Sequence, residues 1–277
     1  MKIQDLGSLD GPILLFGGIY SNFHALKALW DWSDRHGIPA QNRICTGDIA
    51  AYCADAAKCI TFMMEAGTHV VAGNFEEQLA SGALDCGCGF DDDSTCSLLS
   101  VAWYNHASAE VTDVLRTYMA ELPKRLIFEH GGKRYAVIHG GASDISRFLW
   151  CVTPEAELEK EVGLLRDQVG PFDAVIAGHS GIPFTRDVAG TRWINAGAIG
   201  MPAHDQRAST WFAMLLDDGS RADPVMLEEL HYDATAAQSA MIDAGLVQGY
   251  HQTLLSGIWP SEDTLPPEMR YSAAASG

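Results

Sequence analysis

The sequence predicts an α/β fold in which two sheets pack face to face between outer helices. Two observations carry this. The first part of the chain alternates short apolar runs, glycine-bearing breaks and helical periods, the rhythm of parallel strands joined by crossover helices. The later part changes to closely spaced strands that read as antiparallel, and these call for a second set of pairings. At 277 residues the chain is long enough for one large domain with a sizeable core.

Each element follows from local pattern. Residues 13–16 form a short apolar strand broken at Gly17-Gly18. Residues 25–36 place apolar side chains at helical spacing and stop at Gly37. A strand at 42–46 runs into Gly47-Asp48, a helix follows at 55–66, and Val70-Val71 runs into Gly73-Asn74. Residues 77–122 break the rhythm. An irregular stretch with Cys86, Cys88 and Cys96 leads into a helical period over 98–122, and the whole reads as a helical cap inserted in the core. A hairpin over 125–138 turns at Gly131-Gly132 and ends in His139-Gly140-Gly141. A charged helix spans about 154–169, and a strand at 173–177 ends in Gly178-His179. Strands at 184–188, 192–195, 210–216 and 225–231 follow, then a C-terminal helical tail over about 234–277 whose last residues are extended. The organisation is one domain over 1–277, with no internal repeat.

Composition narrows the function. The net charge is −18, and such a surface repels phosphate backbones, so no nucleic-acid partner is expected. No apolar run approaches the ~20 residues of a membrane span, and the opening MKIQDLGSLDGP lacks a basic segment followed by an apolar one. With seven scattered cysteines, the expectation is a cytoplasmic protein with reduced thiols and no membrane partner.

Four polar residues stand directly after four strands, each beside a glycine: Asp48, Asn74, His139 and His179. Strand ends at one sheet edge lie close together, so a carboxylate, an amide oxygen and two imidazoles can converge there. That mixed oxygen and nitrogen set suits Zn²⁺, Mn²⁺ or Fe better than Ca²⁺. Taken singly, each is an ordinary turn, cap or hydrogen-bonded histidine.

In their order and context these residues resemble the calcineurin-like metallophosphoesterases, in particular the small bacterial phosphodiesterase-like branch. The resemblance runs through GIYSN (18–22), GD (47–48), GNFE (73–76), VIHGG (137–141), GHSG (178–181), INAGAIGMP (194–202), RASTWFAML (207–215) and AGLVQGYHQTLLSGIWP (244–260). It implies a four-layer α-β-β-α sandwich of two mixed sheets flanked by helices. It also implies a two-metal site that activates water for attack on a phosphate ester.

This chain departs from the family pattern on one side. Gly18 stands where the family has its first Asp, Tyr20 where it has its first His, and Gly181 where it has its last His. Phe75 replaces the His thought to assist the leaving group. The second metal keeps its full implied set in Asp48, Asn74, His139 and His179. The expectation is one divalent ion, Mn, Fe or Zn, and weak or altered hydrolysis of a small phosphorylated molecule. The alternative is a non-catalytic relative that binds a metal, a nucleotide or a protein. Tyr20 and Asn22 are candidate phosphate contacts, and His24 and His204 candidate proton donors.

In the cap, Cys86, Cys88, Cys96 and His106 offer a poor match to a zinc site, because C-x-C is tighter than the usual spacing. Buried packing thiols are the preferred account. Trp103, Tyr104 and Tyr118 give the cap an aromatic face suited to core packing or to a homo-oligomer contact.

Overall fold

A computed structural model of the chain describes residues 1–87, 95–216 and 223–271. Eleven strands among them form two sheets. The first has the order β1-β5-β6-β7-β9-β8, built from β1 (Ile3–Ser8), β5 (Arg125–His130), β6 (Lys133–Val137), β7 (Ala174–Ala177), β9 (Thr191–Asn195) and β8 (Phe184–Val188). The second has the order β11-β10-β2-β3-β4, from β11 (Val225–Leu230), β10 (Thr210–Leu215), β2 (Ile13–Phe16), β3 (Arg43–Cys45) and β4 (His69–Val70). Both sheets are mixed. β2, β3 and β4 run parallel, as do β6, β7 and β9, whereas β5–β6, β8–β9 and β10–β11 are antiparallel hairpins.

Side-chain alternation explains why the strands read as continuous apolar runs. In β2, Ile13 and Leu15 point between the sheets, while Leu14 and Phe16 face the helices. In β7, Ala174 and Ile176 face the partner sheet, while Val175 and Ala177 pack with Leu158, Val162 and Leu165 of α6 (Glu155–Val169). With both faces of a strand buried there is no polar alternation left to see. On the other side, α1 (Phe23–Arg35), α2 (Ala56–Glu65) and α7 (Ala234–Asp243) cover the second sheet. The four expected layers are present, with three apolar clusters between them.

Several elements differ from expectation. β1, absent from the sequence reading, pairs in parallel with β5 at the sheet edge. It was hidden because most of its residues are exposed and carry no apolar pattern. The 98–122 period is two helices, α4 (Thr95–Glu110) and α5 (Asp113–Glu121), because the Thr112 hydroxyl accepts from Leu115 N and restarts the helix. They follow α3 (Asn74–Ser81), which opens at the predicted ligand itself. After α8 (Tyr250–Ser256) the α-helical pattern of the tail gives way to an irregular segment with one 3₁₀ turn, Pro267–Met269. Residues 257–271 form a strap bound back to the body through Trp259 N donating to His204 Nδ1 at 2.9 Å and Trp259 Nε1 donating to the Pro202 carbonyl at 2.7 Å.

The expectation of reduced thiols fails at Cys86. Cys45, Cys53, Cys59 and Cys151 are free, but Cys86 is disulfide-bonded and so is neither a packing thiol nor a zinc ligand. Cys88 and the side chain of Cys96 lie outside the described residues. His106 Nε2 is engaged with the Ala54 carbonyl at 2.9 Å. No helix among the described residues is long and apolar enough to cross a membrane.

Candidate metal centre

The four predicted donors meet at the carboxyl ends of β3, β4, β6 and β7. Asp48 and Asn74 come from one sheet, His139 and His179 from the other. Bringing them together needs tight backbone. Asp48 and His179 are non-glycine residues with φ of 60° and 59°, and Tyr20 and Ser21 share that left-handed conformation. Such residues cluster where the surrounding structure holds them against local preference. Gly47 (φ 98°) shows the crowding: a Cβ there would stand 2.7 Å from Gly73 N and 2.9 Å from His139 Nδ1.

The hydrogen bonds determine which atoms face inward. His139 Nδ1 lies 2.6 Å from the Thr46 carbonyl and donates to it, so in the neutral ring Nε2 carries the lone pair. Asn74 Nδ2 donates to the Cys86 carbonyl at 3.0 Å, which turns Oδ1 toward the site. His139 Nε2 then faces Asn74 Oδ1 at 3.1 Å, His179 Nδ1 at 3.1 Å and Asp48 Oδ2 at 3.3 Å. Asp48 Oδ1 is buried without a hydrogen-bond partner. Buried acceptors facing one another need a cation or a proton between them. Donors about 2.0–2.2 Å from a shared ion sit roughly 3–3.5 Å apart, and the set fits a Zn²⁺-, Mn²⁺- or Fe-sized ion. Asp48, His139 and His179 are the candidate metal group among the described residues.

Electrostatics sharpen the picture. Burial works against charging His139, but the Asp48 carboxylate, the Thr46 carbonyl and Glu76 outweigh it and raise its pKa above 6.5. Burial and the neighbouring His139 push His179 well below 6.5, so it offers a neutral ring, the form that binds metals. Beneath the site sits Glu76, which no functional argument from sequence singled out. Its carboxylate accepts from Asp48 N (2.8 Å), Ile49 N (2.7 Å) and Gly73 N (2.8 Å), tying the two loops that carry Asp48 and Asn74. Burial, then the charge on Asp48, push its pKa up to about 7. The signal was in GNFE: an acid three residues after the helix N-cap reaches back to the N-cap backbone N–H, the carboxylate half of a capping box.

The expectation of a half-erased site can be followed residue by residue. Tyr20 is buried and packs edge-on against Tyr52 (4.8 Å) and Phe75 (6.4 Å). Phe75 in turn contacts Trp103 of α4, so it belongs to an aromatic cluster. At Gly18 (φ 52°) a Cβ would meet Ala198 Cβ at 2.6 Å and the Tyr20 ring at 2.8 Å. Asn22 caps α1 by accepting from Ala25 N, and its Nδ2 donates to the Gly200 carbonyl, both at 3.0 Å. His24 lies half-buried in the first turn of α1 and is not part of the donor group. His204 donates from Nε2 to Glu262 and accepts at Nδ1 from Trp259 N, which engages both ring nitrogens.

The family model for the calcineurin-like phosphoesterase superfamily domain matches residues 17–218. The chain belongs to that superfamily. Two solved structures share the fold of this calcineurin-like phosphoesterase-superfamily protein. One is a metallophosphoesterase from Sphaerobacter thermophilus, at 18% identity over 90% of this chain and 100% of that one, with a TM-score of 0.67. The other is a hypothetical protein from Pyrococcus horikoshii OT3, at 15% identity over 89% of this chain and 98% of that one, with a TM-score of 0.71. A comparison with curated protein sequences gives no match. The superfamily is metal-dependent and acts on phosphate esters.

Proposed function

We propose that this chain binds one divalent cation, Mn²⁺, Fe²⁺ or Zn²⁺, through Asp48, Asn74, His139 and His179, and hydrolyses a small phosphate ester slowly there. The observation that carries the reading is the convergence of an amide oxygen, a carboxylate oxygen and an imidazole nitrogen on His139 Nε2, whose lone pair the Thr46 carbonyl aims into the site. A cation bound there supplies a Lewis acid for a phosphoryl oxygen and for water.

The side chains decide the rest. Asp48, Asn74 and the two histidines would hold that cation. Tyr20 lines the cavity beside His179, which supports it as the donor of an O–H to a phosphoryl oxygen. Burial, then the charge of Asp48, raise its pKa well above 10, so the phenol keeps its proton. Phe75 carries no proton, so the leaving group takes one from solvent. Loss of a second cationic stabiliser costs about 10²–10³ in rate by analogy with oxyanion-hole deletions, and loss of the acid about 10² more.

Elemental analysis of protein purified without chelator tests the site, with one equivalent expected and none after His179→Ala. A phosphoesterase screen over Mn²⁺, Fe²⁺ and Zn²⁺ tests the activity, and Asp48→Ala should abolish whatever turnover appears. Two equivalents would overturn the one-cation reading. The packing of Phe75 into the aromatic cluster favours a second reading, a non-catalytic relative. One equivalent of metal with no turnover on any ester would select it.

A further inference from the structure

A cavity of about 50 Å³ adjoins the donor group, and His179 lines both. Its walls are aromatic: Tyr20, Tyr52, Phe148, Tyr250 and Trp259. Ser180, Ser261 and Thr264 are its small polar residues, and among the described residues no Lys, Arg, Asp or Glu lines it. Two of its lining residues, Tyr20 and Gly181, stand where the family resemblance places ligands of the missing first cation. A Cβ on Gly181 would lie 3.5 Å from the Tyr20 hydroxyl and 3.9 Å from the Trp259 ring, so a histidine there would fill the space. The space beside Gly181, which a histidine side chain would occupy, is therefore part of this cavity.

We propose that the cavity receives the alcohol side of the ester, and that this alcohol is a compact, uncharged, apolar group, either an aryl ring entering edge-first or a short alkyl chain. The proposal rests on the phosphoryl site described above. Three observations select this class. The aromatic walls reward apolar surface. The absence of a lining cation leaves a second phosphate unpaired, and the net charge of −18 adds to the penalty on polyanions. The cavity is partly open, so a ring enters it by one edge or a short chain by its end, and its volume is too small to enclose a nucleoside. The position of Phe148 is built in, because Glu161 of α6 clamps its loop. That carboxylate accepts from Ala142 N (2.6 Å) and Ser143 N (2.9 Å) and pairs with Arg147 (3.1 Å), and Phe148 then packs on His179 at 4.3 Å.

Phosphonates, which are not hydrolysed, isolate binding from turnover. Calorimetric titration of the Mn²⁺-loaded full chain with methylphosphonate, phenylphosphonate and 2-aminoethylphosphonate is the test. Phenylphosphonate should bind at least about tenfold more tightly than either of the others. Thr264→Phe and Ser261→Phe, which fill the cavity from the strap, should each reduce that preference to about twofold with metal still at one equivalent. Equal affinity for the methyl and phenyl compounds would overturn the pocket and leave the phosphoryl site standing. Preference for the aminoethyl compound would overturn it in favour of a cation-selecting cage. Failure of every phosphonate to bind in a metal-dependent way would overturn the phosphoryl site itself.

Discussion

Glu76 shows how a single side chain assembles the donor group without being one of the donors. It is fully buried and accepts three backbone N–H groups, from Asp48, Ile49 and Gly73. Glu76→Gln keeps the shape but turns an amide N–H₂ toward a donor. The expected cost is about 1–3 kcal/mol, read as a lower urea midpoint, together with weaker metal retention on dialysis. Asp48, Asn74, His139 and His179 were legible before the fold, because each follows an apolar run and abuts a glycine. Glu76 was legible only as an acid near a helix start, through its bond to Gly73 N; its other two partners are backbone groups 28 and 27 residues earlier in the chain, which no local motif records. The cavity was hidden for a related reason. Tyr250 and Trp259 lie 230 and 239 residues after Tyr20 in the chain, and only the folding of α8 and the strap brings them beside it.

At the scale of elements, the loop from β2 to α1 serves the architecture. Asn22 caps the helix with its oxygen and holds the Gly200 carbonyl with its nitrogen. Asn22→Ala should therefore cost roughly 2–4 kcal/mol, the sum of a lost cap and an unsatisfied buried carbonyl, with metal stoichiometry unchanged. A phosphate-contact role would give the opposite pattern, an unaltered urea midpoint with weakened phosphonate binding. Strand order and the crossover helices could be read from apolar period and glycine breaks. The edge elements could not. β1 lacks a buried face, and the break between α4 and α5 depends on one hydroxyl. β4 carries a separate, pH-dependent consequence. His69 is half-buried, and burial lowers its pKa from 6.5 against a weaker opposing hydrogen bond to the Gln41 backbone. The unfolded ring titrates near 6.5 and the folded ring below it, so between those values the unfolded chain binds more protons and stability rises with pH. The contribution is full above 6.5 and is lost as pH falls. His69→Gln should flatten the decline of the urea midpoint on the acid side of that value.

Across the whole molecule, the donor group joins the two sheets. Asp48 and Asn74 end strands of one sheet, His139 and His179 end strands of the other, and the apolar layer between the sheets ends at this edge. A cation bound there is a cross-link between layers, present in the folded state alone. Ligation at a free-metal concentration 100 times Kd adds about 2.7 kcal/mol of stability. For a chain of this size that corresponds to a rise in melting temperature of roughly 5–10 °C. Chelation should reverse the rise, re-addition of Mn²⁺ or Zn²⁺ should restore it, and His139→Ala should respond to neither. Hydrogen exchange should locate the effect. Amides in the four loops that end β3, β4, β6 and β7 should lose protection together on chelation, because releasing one sheet's ligands frees the other's. A purely local site would instead expose one loop at a time, and α6, which packs on the outer face of its sheet away from the shared edge, should keep its protection throughout.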